Sequence, residues 1–151
     1  MIAQPPLDPD SINSNSQRVF FEEEVDLSAG NAGLHTPASA FNGNLVVERM
    51  RSTDIPGELR FHQNLLNVQM YDLQGNEFER VFGLNYVYFN LDNRTRQLWD
   101  AGDLQILRYD DGEEGWVTCR VPVLIETKNQ PHGRLSCVIF NWGLFGLAEL
   151  Q

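Results

Sequence analysis

Residues 116 to 142 read as two long strands folding back on each other through Lys128-Asn129-Gln130-Pro131-His132-Gly133. With the turn centred on Pro131 and His132, Ile125 faces Val138, Val123 faces Phe140, Val121 faces Trp142 and Cys119 faces Leu144. One unbroken apolar row results, the kind that stabilises an antiparallel pair. A hairpin of this length commits the chain to antiparallel sheet.

The same register separates the two cysteines. Cys137 falls opposite Glu126, which leaves Cys119 seven positions further along the partner strand, about 23 Å away at roughly 3.3 Å per residue. A disulfide needs Cα atoms within about 7 Å. The expectation is therefore two free thiols in a reducing, cytoplasmic setting.

The rest of the chain repeats the β signature. Val19, Phe21, Val25 and Leu27 alternate with Phe20, Glu22, Glu24 and Asp26, so a half-buried strand is expected from Arg18. Leu45 to Arg51, Leu66 to Tyr71, Phe78 to Phe82, Leu84 to Leu91 and Leu104 to Tyr109 read as further strands, and Leu144 to Leu150 as a last one. Between them lie turn signals such as Asn42-Gly43 and Gln74-Gly75-Asn76. Only Thr95 to Trp99 reads as a helical turn. Eight or nine short strands without alternating helices predict an all-β fold, a single antiparallel β-sandwich or β-barrel. Residues 1–17, rich in Pro, Asp, Asn and Ser and without apolar period, are expected to form a disordered tail ahead of one β domain spanning 18–151. At 151 residues, with nine Phe, four Tyr and three Trp, that domain can bury a core without staples.

Charge narrows the partners. A net charge of −10, with no basic cluster, opposes binding to nucleic acid or to an anionic membrane. The longest apolar segment, Leu135 to Leu150, is shorter than the roughly 20 residues of a membrane helix and is broken by Asn141, Gly143, Gly146 and Glu149.

Local chemistry is sparse. His35, His62 and His132 share no ligand spacing with each other or with cysteine, so no metal site is expected, and no motif asks for a cofactor. Asp110-Asp111-Gly112-Glu113-Glu114 gathers carboxylates but misses the spacing of a calcium loop, and reads as a solvated turn. Glu23 interrupts the inward row of its strand. A carboxylate there is a candidate cavity acid or ligand anchor, against the alternatives of a bulge or an edge charge.

The aromatic residues remain. Trp99 stands in a polar segment, and Tyr109 and Trp116 should face each other across the acidic turn near a sheet end. Such platforms suit a ligand or a partner, while a hydrophobic plug is the plainer role. The candidate binding residues are thus Trp99, Tyr109, Trp116 and Glu23, with no catalytic set. The expected function is a non-enzymatic binding or assembly module that recognises a protein partner or small ligand through loops and aromatic residues at one end. The competing expectation is a small-molecule enzyme or ligand carrier using a cavity carboxylate in a barrel. A homo-oligomeric structural subunit is the third.

Overall fold

A computed structural model describes residues 11–51, 59–110 and 115–150. In chain order the elements are β1(Ser11–Val19), β2(Val25–Ala29), β3(Ala32–Thr36), β4(Gly43–Met50), β5(Leu59–Tyr71), β6(Tyr86–Asn90), α1(Asn93–Asp100), β7(Leu104–Asp110), β8(Gly115–Thr118), β9(Val123–Thr127), β10(Gln130–Val138) and β11(Gly143–Leu150). The strands form two antiparallel sheets, of order β1-β4-β5-β11-β7-β8 and β2-β3-β6-β10-β9, packed against each other. This is a β-sandwich with free edges, not a closed barrel, and its eleven described strands exceed the eight or nine expected.

Alternation explains which residues enter the core. Val25, Leu27 and Ala29 of β2, Leu45 and Val47 of β4, Val87 and Phe89 of β6, and Leu135 and Cys137 of β10 all point between the sheets. The six-stranded sheet carries a second apolar layer on its other face. Leu65 and Leu144 belong to a separate cluster with Met50, whereas their chain neighbours Leu66 and Phe145 belong to the main core. Successive residues point to opposite faces, so β5 and β11 are covered on both sides.

Among the described residues one charged side chain is buried. Arg49 of β4 lies inside the sandwich, donates from Nη2 to Asn31 Oδ1 at 3.0 Å, and sits 5.8 Å from the Phe89 ring centroid. Its Nη1 has no hydrogen-bond partner, and burial lowers its pKa to about 10.

Helix α1 starts where its cap dictates. Asp92 Oδ1 accepts from the Thr95 amide at 2.8 Å, and Thr95 Oγ1 accepts from the Asp92 amide at 2.9 Å, a reciprocal cap. Arg96 then fastens the helix to the sheet, reaching Glu126 at 2.6 Å and the His132 carbonyl at 3.1 Å.

Four expectations need correction. The stretch from Trp116 to Trp142 is not one hairpin. β8 pairs with β7 in the six-stranded sheet, whereas β9 pairs with β10 in the other, around a two-residue turn at Lys128 and Asn129. Ile125 faces Arg134, not Val138. The physical break is Val121-Pro122: Val121 adopts φ 47°, Pro122 has no amide to donate, and the chain crosses from one sheet to the other.

That crossing overturns the free thiols. Cys119, at the crossover, lies opposite Cys137 with Cα atoms 6.4 Å apart, and the two form a disulfide. A chain that changes sheets at Val121-Pro122 does not carry the two cysteines apart as one straight strand would.

The expected disorder does not hold for residues 11–17. Residues 11–17 lie in β1, an edge strand paired with β4 from Ser11↔Met50 to Val19↔Gly43, while residues 1–10 are outside those described. A polar sequence suffices for an edge strand because its partner supplies the backbone hydrogen bonds. Residues 52–58, whose sequence suits a turn or a helix start, and the acidic residues 111–114 likewise fall outside the described residues. Phe78 to Phe82 is a loop touching the sheet through a single Tyr71↔Glu77 bridge.

Candidate functional site

Strand register brings four connections to one end of the sandwich. Val19 pairs with Gly43, Asn44 with Tyr71, Val25 with Thr36 and Val138 with Tyr86. The segments 20–24, 37–42, 72–85 and 139–142 therefore gather together.

These loops hold a group of phenylalanines in water. Phe20, Phe21, Phe41 and Phe82 are between 42% and 60% exposed, and Leu84 is exposed beside them in sequence. Phe41 packs against Phe78 and Phe82 with ring centroids 5.3 Å and 4.9 Å away. These are ordinary distances for aromatic pairs.

The loops are fixed by their own polar groups. The Glu22 amide donates to the Ser39 carbonyl at 2.8 Å, and the Ser39 amide donates to the Glu23 carbonyl at 2.9 Å. The Phe21 amide donates to Asn42 Oδ1 at 2.8 Å. Glu22 adopts φ 69°, the left-handed conformation this tight turn requires. On the far side Trp142 donates from Nε1 to the Arg80 carbonyl at 2.9 Å, holding the 72–85 connection. The phenylalanines are thus presented on pinned backbone.

Beneath them lies a cavity of only about 20 Å³, bordered by Thr36, Met70, Phe78, Asn85 and Trp142. Thr36 Oγ1 donates to Asn85 Oδ1 at 2.5 Å within this buried region. A space of that size holds about one water. Glu23 does not line it.

The four sequence candidates are dispersed. Glu23 is at this end, but its side chain is exposed in the β1–β2 turn, so it is not the inward carboxylate expected. β1 ends at Val19 and β2 starts at Val25, and the alternation runs in phase across a turn. Trp99 lies on α1 and packs partly buried against the main core. Tyr109 and Trp116 do face each other, with ring centroids 5.4 Å apart, and Trp116 also meets Phe61 at 4.6 Å. All three rings cover the second cluster formed by Met50, Leu65 and Leu144. The structure therefore unites none of Trp99, Tyr109 and Trp116 with Glu23. Ring contacts join Phe41, Phe78 and Phe82, while Phe20 and Phe21 stand exposed on the neighbouring turn; the one signal in the sequence is that Phe20-Phe21 and Phe41 adjoin turn residues.

Among the described residues no group of three or more His, Cys, Asp or Glu could hold a metal ion, and no helix is long and apolar enough to cross a membrane. The fold defines the chain as an antiparallel β-sandwich with an aromatic loop end. No protein-family model matches it, and no curated protein is similar to it.

Proposed function

We propose that this domain is a non-enzymatic binding or assembly module that takes a protein partner on the loop end of the sandwich, through Phe20, Phe21, Phe41 and Phe82. The observation that carries this reading is their exposure on hydrogen-bonded loops. Soluble domains rarely leave large apolar side chains together in water without a use, and aromatic anchors on a preorganised backbone lose little entropy on binding. Glu22, Glu23, Glu24, Glu77 and Glu79 surround them against Arg18 and Arg80, which favours a basic partner.

An enzyme working through Glu23 has no such support, because its carboxylate is in solvent. Trp99, Tyr109 and Trp116 are assigned here to packing. The cytoplasmic expectation rested on free thiols, and the Cys119–Cys137 bond favours an oxidising compartment instead.

The test is affinity capture from the source cells with the native chain and with Phe20→Ser/Phe82→Ser, both checked for folding by circular dichroism. Partners held by the native chain and released by the variant support the reading. Identical partners on both, or none on either, count against it.

A further inference from the structure

The outer face of the five-stranded sheet carries a separate concavity. Along β10, Leu135 and Cys137 turn inward, leaving Arg134, Ser136 and Val138 to face outward as a floor. β9 raises exposed Val123 and Ile125 on one side, and beyond them Val121, at 81% the most exposed large apolar side chain among the described residues. On the other side His35 and Tyr86 stack with centroids 6.2 Å apart. The half-open trough between them encloses about 720 Å³. Small-molecule sites span roughly 300–1,000 Å³.

Its lining is polarised lengthwise. Ile125 pairs with Arg134 and Val123 with Ser136, which puts Thr127, Asn129 and Gln130 at the Arg134 end. Val121, Val138 and Pro37 line the opposite end, where the stacked His35 and Tyr86 close the far wall beside Val138. An occupant with one polar and one apolar end matches this division.

The basic side chains of the trough already have partners. Arg134 stacks 3.7 Å from the Tyr88 ring centroid, donates from Nε to Asn90 Oδ1 at 2.9 Å, and meets Asp26 at 3.3 Å. His35 meets Glu24 at 3.3 Å. An ionic head would have to displace one of these partners, whereas a neutral hydroxyl or amide need not.

The wall is held in shape at a cost. The disulfide ties the segment carrying Val121 to β10 beneath it, and the φ of 47° at Val121 is unfavourable for a β-branched side chain.

We infer that this trough binds an uncharged amphiphile. Its apolar body, roughly 13 Å long over the four steps between Arg134 and Val138, lies along β10 against Val121, Val123 and Val138. Its hydroxyl- or amide-bearing head rests at Arg134, Asn129 and Gln130.

The experiment is a nuclear magnetic resonance titration of the full chain with octyl glucoside below its micellar concentration, with glucose and octanoate as comparators. Saturable shifts are expected at the trough, with the alkyl chain close to the Val121 and Val123 methyls and the sugar close to Arg134. Glucose should give no shifts, and octanoate should bind at least tenfold more weakly. Ser136→Trp, which fills the floor, should abolish binding, and so should Val123→Lys, at an exposed position that leaves folding intact. Phe20→Ser should not affect it. Absence of shifts, octanoate binding as tightly, or binding retained in folded Val123→Lys would each overturn the inference. Those failures leave the loop-end reading standing, since none of Phe20, Phe21, Phe41 and Phe82 lines the trough.

Discussion

Tyr88 occupies the space that a side chain at Gly33 would need. A Cβ built on Gly33 would stand 2.5 Å from the Tyr88 hydroxyl oxygen, and closer still to the Leu27 carbonyl. The ring crosses β3 over this bare position so that its hydroxyl donates to Asp26 Oδ1 on β2 at 2.7 Å, with Arg134 of β10 stacked on it. Four strands are thereby laced on the outer face of one sheet. Burial, then the bond to Asp26, raises the phenol pKa and keeps it a neutral donor.

Gly33→Ala should therefore destabilise the fold by about 1–3 kcal/mol, the usual range for an overpacked site. Denaturant unfolding measures it. A midpoint equal to that of the native chain would mean that β3 moves aside freely and that Tyr88 does not depend on Gly33.

Cys119→Ser and Cys137→Ser should each cost about 3 kcal/mol, as expected for a closed loop of this size. Thiol titration of denatured, unreduced protein should find no reactive thiol. Two thiols under those conditions would remove the bond and with it the rigid wall at Val121.

The helix cap makes stability depend on acid. The Thr95 amide bond holds the Asp92 carboxyl below its ordinary pKa, and His62, 2.7 Å from Glu149, does the same there. For a lowered pKa the stabilisation is complete above the ordinary carboxylate range near about 4 and is lost as pH falls through the folded-state value. Asp92→Ala should cost about 1 kcal/mol at pH 7. Asp92→Asn, which still accepts a bond but does not titrate, should lose less stability between pH 7 and pH 3 than the native chain. Equal losses in thermal unfolding would exclude Asp92 as a source of acid sensitivity.

Phe20→Ser and Phe21→Ser should each change stability by no more than about 0.5 kcal/mol, because these side chains are already in water. Binding of a fluorescent hydrophobic dye should fall in both. Marked destabilisation would instead make them part of the packing.

Strands with one clean alternation were legible. Leu45 and Val47 of β4, and the facing pair Tyr109 and Trp116, follow from a period of two and a short acidic turn. Readings that crossed a chain reversal failed. Val19 and Val25 lie in phase although a turn separates them, which placed Glu23 inside, and Pro122 was passed over as a break because apolar residues continue on both sides. Polar β1 was invisible for a different reason: its strand is specified by the hydrogen bonds of β4, and the residues of β1 do not encode it. The loop end needed tertiary proximity of residues 41, 78 and 82, which no local pattern carries.

The double layering of β11 has a consequence for motion. With Leu144 sealed on one face and Phe145 and Leu147 on the other, and with β5 and β7 paired on its two sides, its amides reach solvent only when the whole domain opens. Hydrogen exchange should be slowest there and quicken toward the edge strands. The protein should then yield at its rim while its centre stays shut, and the two proposed surfaces are built on loops and on the other sheet, away from β11.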